Sequence, residues 1–343
     1  MTKQLKARLI YNPTSGQEIM KKNVAEVLDI LEGFGYESSA FQTTPAEHSA
    51  KHEATRAAKA GFDLIVAAGG DGTINEVVNG IAPLKIRPKM AIIPTGTTND
   101  FARALKIPRG NPVAAAKVIG KGQMVKMDIG RARENTYFIN IAAAGTLTEL
   151  TYSVPSHLKT TFGYLAYLAK GAELMPRVSN VPVKITHDHG VFEGEASMMF
   201  AAITNSVGGF EQIAPDAKLD DGLFTLIIVK TANLIHLLSL IRLLLSGKHI
   251  HDKRIEYIKS SKIVIEPQSD KRMMINLDGE YGGDAPITLT NLKNHITFFA
   301  DTDEIADDAL LLDPEDLAME AIAQKFATEV EGLEEQTKEL DTD

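Results

Sequence analysis

Leu64 to Asn79 reads LIVAAGGDGTINEVVN. Five apolar residues stop at two glycines, an aspartate and a third glycine follow, and then a helical pattern begins. An unbroken apolar run of this length fits a strand covered on both faces, as in a parallel sheet. Glycines let the backbone reach positive φ and let another group approach it closely. The unpaired N–H groups at the start of a helix suit phosphate. Thr73 and Glu76 have capping-box spacing, so the helix is expected to start at Thr73, with Asp71 in the turn before it. A carboxylate there repels a bare phosphate, and makes sense where Mg²⁺ lies between the two. A tight strand-to-helix turn using Asp as a turn former fits the same residues.

Outward from this stretch, the first 130 residues alternate strand and helix. ARLIYN (Ala7–Asn12), YESSAFQT, FDLIVAA and KMAIIP read as strands. Lys21 to Phe34 has helical spacing, with Val24, Val27, Leu28 and Leu31 on one face, and Ala46 to Ala60 reads as a second helix. Short helices are expected near Asp100–Leu105 and Pro112–Ile119. Strands separated by such helices pair in parallel through right-handed crossovers. Residues 1–128 are therefore expected to form a doubly wound, Rossmann-like α/β domain. After Asp128 the pattern turns to short strands with polar turns, which predicts a C-terminal antiparallel β-sandwich over residues 129–300. Two apolar helical stretches interrupt it, at about Gly163–Leu174 and Asn233–Leu245. Residues 301–343 form an acidic tail, with a helix expected over Pro314–Val330 that packs back on the first domain.

The chain has 343 residues, 44% apolar and 24% charged, which are the proportions of a water-soluble globular protein. Its net charge of −9 is unevenly spread: from Asp301 onward the charge is −14, leaving +5 on the rest. A mildly basic body suits an anionic surface or a phosphorylated ligand, and ordinary solvated surface fits it as well. There is no cysteine, which excludes disulfides, thiolate metal sites and cysteine nucleophiles and fits a reducing cytosol. No leader peptide is expected from MTKQLKARLIYNPTSG, and no window is long and apolar enough to predict a transmembrane helix.

Two common phosphate motifs fail. There is no G-x-x-x-x-G-K-[ST]. GDGTIN carries Asn75 where a dinucleotide fingerprint needs its third glycine, and it follows the third strand rather than the first.

The run Gly69-Gly70-Asp71-Gly72-Thr73-x-Asn75-Glu76 resembles the signature of the diacylglycerol kinase catalytic-domain family, which includes sphingosine and ceramide kinases. NAD kinases and phosphofructokinases share only the GGDGT core. PTGTTNDFARAL (Pro94–Leu105) is similar to a lipid-kinase motif that NAD kinases lack. YNPTSG (Tyr11–Gly16), PDAKLDDGLFTL (Pro215–Leu226) and LDGEYGG (Leu277–Gly283) complete five motifs in family order, and the resemblance is greatest to the soluble bacterial diacylglycerol kinases.

The resemblance implies ATP- and Mg²⁺-dependent phosphorylation of diacylglycerol to phosphatidic acid, in phospholipid recycling. It implies that Asn12, Pro13, Thr14, Ser15 and Gly16, with Thr43, lie on the nucleotide. Gly69, Gly70, Asp71, Gly72, Thr73, Ile74 and Asn75 match the phosphate loop, and Gly96 and Thr97 the second glycine turn. Asp71, Asp100 and Asp128 match aspartates linked through Mg²⁺ and water. Lys218, Asp221 and Leu223 match a second, structural Mg²⁺ site, where a plain turn also fits. Glu280 matches the catalytic base, although DGEYGG alone reads as a polar hairpin turn. A homodimer, transient contact with the inner face of the cell membrane and no nucleic-acid partner follow from the same resemblance. The apolar stretches with basic flanks suit either bilayer contact or core packing. A kinase for a sphingoid base, ceramide or undecaprenol, and a non-catalytic nucleotide-binding regulator, stay open. The spacings HDH (His187–His189) and HIH (His249–His251) are expected in exposed turns.

Overall fold

The computed structural model describes residues 3–145, 180–205, 214–230, 248–270 and 272–302, together with 236, 239, 240, 243 and 305. The first half alternates as its pattern predicts: β1 (Leu5–Tyr11), α1 (Ile19–Gly33), β2 (Tyr36–Gln42), α2 (Ser49–Lys59), β3 (Leu64–Gly69), α3 (Asp71–Ile81) and β4 (Lys89–Pro94). Two short helices, α4 (Asp100–Ala104) and α5 (Pro112–Lys117), follow. All six residues of β3 are buried, because it lies between β1 and β4 with helices on both faces. The three strands are parallel, in register Leu9↔Val66 and Val66↔Ala91. On α1, Val27 and Leu31 are buried, and Val24 and Leu28 pack beside them, as the helical spacing predicts.

The remaining strands are β5 (Met124–Arg133), β6 (Thr136–Phe138), β7 (Ile141–Gly145), β8 (Val181–His187), β9 (Gly190–Ala196), β10 (Met198–Ala202), β11 (Phe224–Val229), β12 (Ile255–Ser260), β13 (Lys262–Pro267), β14 (Met274–Leu277), β15 (Glu280–Asp284) and β16 (Ile287–Phe299). They divide between two sheets. One is wholly antiparallel, in the order β12-β11-β10-β7-β14-β15. The other continues the parallel strands as β2-β1-β3-β4-β16-β13-β8-β9, with β5 paired to β16 and β6 to β5.

The continuity of that sheet comes from β16, whose 13 residues serve both halves of the chain. Its first part pairs with β13, its last part touches β4 at Phe298↔Met90, and β5 pairs with it on both sides of a bulge. The register with β5 shifts between Leu292 and Ile296, with Asn294 at φ 52 inside the bulge. A bulge bends the strand and re-aims its backbone. Phe298, fully buried, then stands edge-on to Phe101 with ring centroids 4.9 Å apart. A second core fills the space between the sheets, with Val183, Ile185, Met199, Leu226 and Ile275 around the stacked Phe138 and Phe224.

The stretches expected to be helical at 163–174 and 314–330 lie outside the described residues. Of 233–245, residues 236, 239, 240 and 243 are helical, and Leu240 and Leu243 pack on Ile227, Val229 and Ile255. That is core packing for at least this face of the stretch. His249 is not in an exposed turn: it is fully buried, edge-on to Tyr257. Phe298→Ala should destabilise the fold by about 3–5 kcal/mol, because it empties a filled site that joins both halves. Denaturant unfolding checks this, and a loss below about 1 kcal/mol would contradict the joining role of β16.

Candidate active site

Three loops leave the same edge of the parallel sheet, after β1, β3 and β4. Backbone bonds tie these strand ends together: Asn12 N–H donates to Ala68 O at 2.8 Å and Thr95 N–H to Gly69 O at 2.9 Å, while Thr43 N–H, just after β2, donates to Tyr11 O at 2.9 Å. The loops then touch where only glycine fits. A Cβ on Gly16, which has φ +56°, would lie 2.3 Å from Thr95 O. A Cβ on Gly96 would lie 2.6 Å from the Gly70 Cα. Ser15 Oγ donates to Thr95 O at 3.0 Å, and Asn12 Oδ1 accepts from Thr14 N–H and Oγ1–H, which closes the first loop. Pro13 is buried under it, whereas Thr14, Gly16, Gly72 and Thr97 are exposed. Ile74 belongs to the core, so its side chain is turned away from any ligand on this edge.

The helix after the glycines starts at Asp71, not at Thr73, with Gly70 as its N-cap. Thr73 and Glu76 do not form a capping box. Thr73 folds back on Gly69, where an added Cβ would meet its side chain at 2.5 Å. Glu76 instead caps another helix: its Oε2 accepts from Ala50 N–H at 2.9 Å and Lys51 N–H at 3.4 Å, at the start of α2. A carboxylate there satisfies orphan donors and complements the helix dipole. Sequence spacing sees only the local partner, and here the distant one won.

Asp71 is therefore the first residue of α3. Its Oδ2 accepts from Asn99 N–H at 3.0 Å. Its Oδ1 is buried with no hydrogen-bond partner. Burial, with Asp100 and then Asp278 nearby, pushes its carboxyl up to about 7, against the backbone N–H groups of Asn99 and Phe101. A buried lone pair without a donor, beside other carboxylates, fits a cation better than it fits nothing. Asp100 opens α4 and is buried. Asn99, at φ 51°, holds the turn before it by a reciprocal pair of bonds with Gly96.

Asp128, within β5, has partners of its own. It is fully buried, and its oxygens accept from Asn294 N–H in the β16 bulge at 2.8 Å and from Gly222 N–H at 2.5 Å. Burial raises its pKa, these bonds oppose the rise, and Asp221 adds to it. Asp221 Oδ1 accepts from Leu223 N–H at 2.9 Å, and Lys218 is exposed on the same loop. Asp71 thus feels the charges of Asp100 and Asp278, and Asp128 that of Asp221. Among the described residues no three histidine or acidic side chains are already gathered around one point.

The joint between the phosphate turn and the second half of the chain is Asp278, at φ 50° in the β14–β15 turn. Its Oδ2 accepts from Asn75 Nδ2 at 2.8 Å and Ile139 N–H at 2.7 Å. Its Oδ1 accepts from Asn140 and Ile141 N–H, each at 2.9 Å. One turn further along α3, Asn79 pairs with both backbone groups of Tyr137. Asn75 is thus turned toward the second half of the chain. Glu280 follows Asp278 by two residues; it is exposed, and its carboxylate has no partner among the described residues. Sequence reasoning misses Asn79, Asn99 and Asp278, although the last two lie inside PTGTTNDFARAL and LDGEYGG. The Asn75/Asn79 spacing, one helical turn, was the available sign for the first.

Comparison with known proteins follows this geometry. Residues 6–132 match the family model described as diacylglycerol kinase catalytic domain. Residues 144–300 match the one described as YegS C-terminal NAD kinase beta sandwich-like domain. The chain is 51% identical over 291 residues to the diacylglycerol kinase of Bacillus subtilis, covering 85% of this chain and 95% of that one. It is 50% identical over 290 residues to that of Staphylococcus haemolyticus, covering 84% and 86%. A crystal structure of a diacylglycerol kinase from Bacillus anthracis superposes with a TM-score of 0.68 at 27% identity, over 88% of this chain and 99% of that one.

The raised Asp71 pKa has a signed consequence. The folded protein keeps this proton up to about 7, whereas an unfolded Asp loses it near 3.8. The folded state therefore binds more protons between those values, and this group's contribution to stability falls as pH rises from about 4 to 7. Asp71→Asn should remove that fall, so in chelator the variant's melting point gains on the unsubstituted protein between pH 5 and pH 8. Parallel melting curves across that range would contradict the assignment.

Proposed function

We propose that this chain, which belongs to the diacylglycerol kinase catalytic-domain family, phosphorylates the free hydroxyl of 1,2-diacylglycerol with ATP at the edge where its three glycine loops meet. The activity is that of a lipid kinase, a transferase acting on an alcohol group. Residues 1–128 act as the nucleotide unit and 129–300 as the lipid unit. The observation that carries the reading is Asp278, which ties the hairpin bearing Glu280 to the helix that opens at Asp71.

In this reading Asn12–Gly16, Thr43, Gly69–Asn75, Gly96 and Thr97 hold ATP, largely through backbone groups and the α3 N-terminus. Asp71 and Asp100 hold Mg²⁺ at the phosphates, and Asp71 Oδ1 is the lone pair that lacks any other partner. Bound there, the ion neutralises phosphate charge during transfer. Lys218, Asp221 and Leu223, beside Asp128, hold a second ion that touches no substrate. The lipid hydroxyl is a weak nucleophile near neutral pH. Glu280 accepts its proton while the oxygen bonds to the γ-phosphorus and the bond to ADP breaks. Phosphatidic acid and ADP leave, and the proton passes from Glu280 to water.

No helix among the described residues is long and apolar enough to cross a membrane. Diacylglycerol is then met at the bilayer surface, where the +5 charge of residues 1–300 favours an anionic leaflet. A homodimer is part of the same proposal.

Glu280→Ala should lower turnover of diacylglycerol at least about 100-fold with its fold intact by circular dichroism. Transfer of labelled phosphate from ATP to diacylglycerol in mixed micelles is the assay. Full activity in Glu280→Ala would remove the base from the scheme.

A further inference from the structure

Among the described residues the Glu280 carboxylate has no partner, so its position rests on its backbone. A general base must stay within hydrogen-bond reach of the proton it takes, and a displacement of about 1 Å can cost about 100-fold in rate. What holds that backbone is therefore part of catalysis. The turn before it is held by Asp278, and by Gly279 N–H donating to Asn276 Oδ1 at 2.8 Å. The strand after it is more precarious. β15 has five residues, lies at the end of its sheet, and pairs with β14 across a register shift. Among the described residues its far edge has no neighbouring strand.

Arg133 occupies that edge. It is the last residue of β5, in the other sheet, and sits at a register shift in the β5–β6 pair. Its Nε donates to Gly282 O at 3.3 Å and its Nη2 to Asp284 O at 2.9 Å. Carbonyls two residues apart point to the same edge of a strand, so one planar guanidinium takes both where a missing strand would have done so. The sequence makes room for it. Gly283, at φ +99°, would with a Cβ come within 2.5 Å of Arg133 Nη2.

We infer that Arg133 is a positioning residue for Glu280, gripping the free edge of the base-bearing hairpin from the opposite sheet. The inference rests on Glu280 acting as the base. Arg133 is itself exposed and takes no place in either core, so its loss leaves the fold standing.

The test is steady-state kinetics of the full chain on diacylglycerol micelles, with Glu280→Ala, Arg133→Ala and Arg133→Lys made side by side. Arg133→Ala is expected to lose about 10- to 100-fold in kcat, with KM for ATP changed less than about twofold and its melting point level with the unsubstituted protein. Arg133→Lys, which reaches one carbonyl, should retain part of the rate. Millimolar guanidinium should restore Arg133→Ala and leave Glu280→Ala inactive. Unchanged kcat in Arg133→Ala, a loss expressed in KM for ATP, or a loss matched by a fall in melting point would overturn the inference while Glu280→Ala is inactive. An active Glu280→Ala would instead overturn the reading on which it rests.

Discussion

The carboxylate of Asp278 accepts four hydrogen bonds, from Asn75 and from three successive backbone N–H groups at Ile139, Asn140 and Ile141. Taking a carboxylate out of water costs several kcal/mol, and only a full set of donors makes it tolerable. Burial still outweighs those donors and raises its pKa. The cost secures a fixed relation between α3, the segment leading into β7, and the β14–β15 hairpin. Asp71 carries the complementary defect. One of its oxygens is buried without a donor. The satisfied carboxylate builds the frame, and the unsatisfied one is where the proposed ion would bind.

Around that frame, glycines decide how near the loops can come. Gly70 and Gly96 face each other at backbone distance, and Gly16 lies against Thr95. Any side chain there would separate the three loops and open the edge of the sheet. The same economy appears at Gly283, which admits Arg133. Glycine-rich motifs here serve backbone packing as much as ligand approach.

Much of this was legible from residue patterns, because strands and helices follow local periods. LIVAAG is a buried central strand, and the α1 stripe faces the core. What escaped were pairings across long stretches of chain. Glu76 has correct capping-box spacing from Thr73, yet it caps α2, 26 residues earlier at Ala50. Asp128 lies inside β5, not after a strand as Asp71 and Asp100 do, and its oxygens are taken up by the β16 bulge and the Gly222 turn. No period announces that Phe298 will lie beside Phe101, or that Arg133 will cross between sheets. The candidate residues themselves came from motif resemblance. Their grouping came only from the fold.

In the proposed scheme the Glu280 hairpin and the phosphate turn are joined through the Asn75–Asp278 bond. A double-mutant cycle on kcat, with Asn75→Ala, Asp278→Asn and the two combined, tests it most directly. The account predicts strong non-additivity, with the double variant no slower than the slower single one. Additive losses, each multiplying the other in full, would show that the two residues act separately and would contradict it.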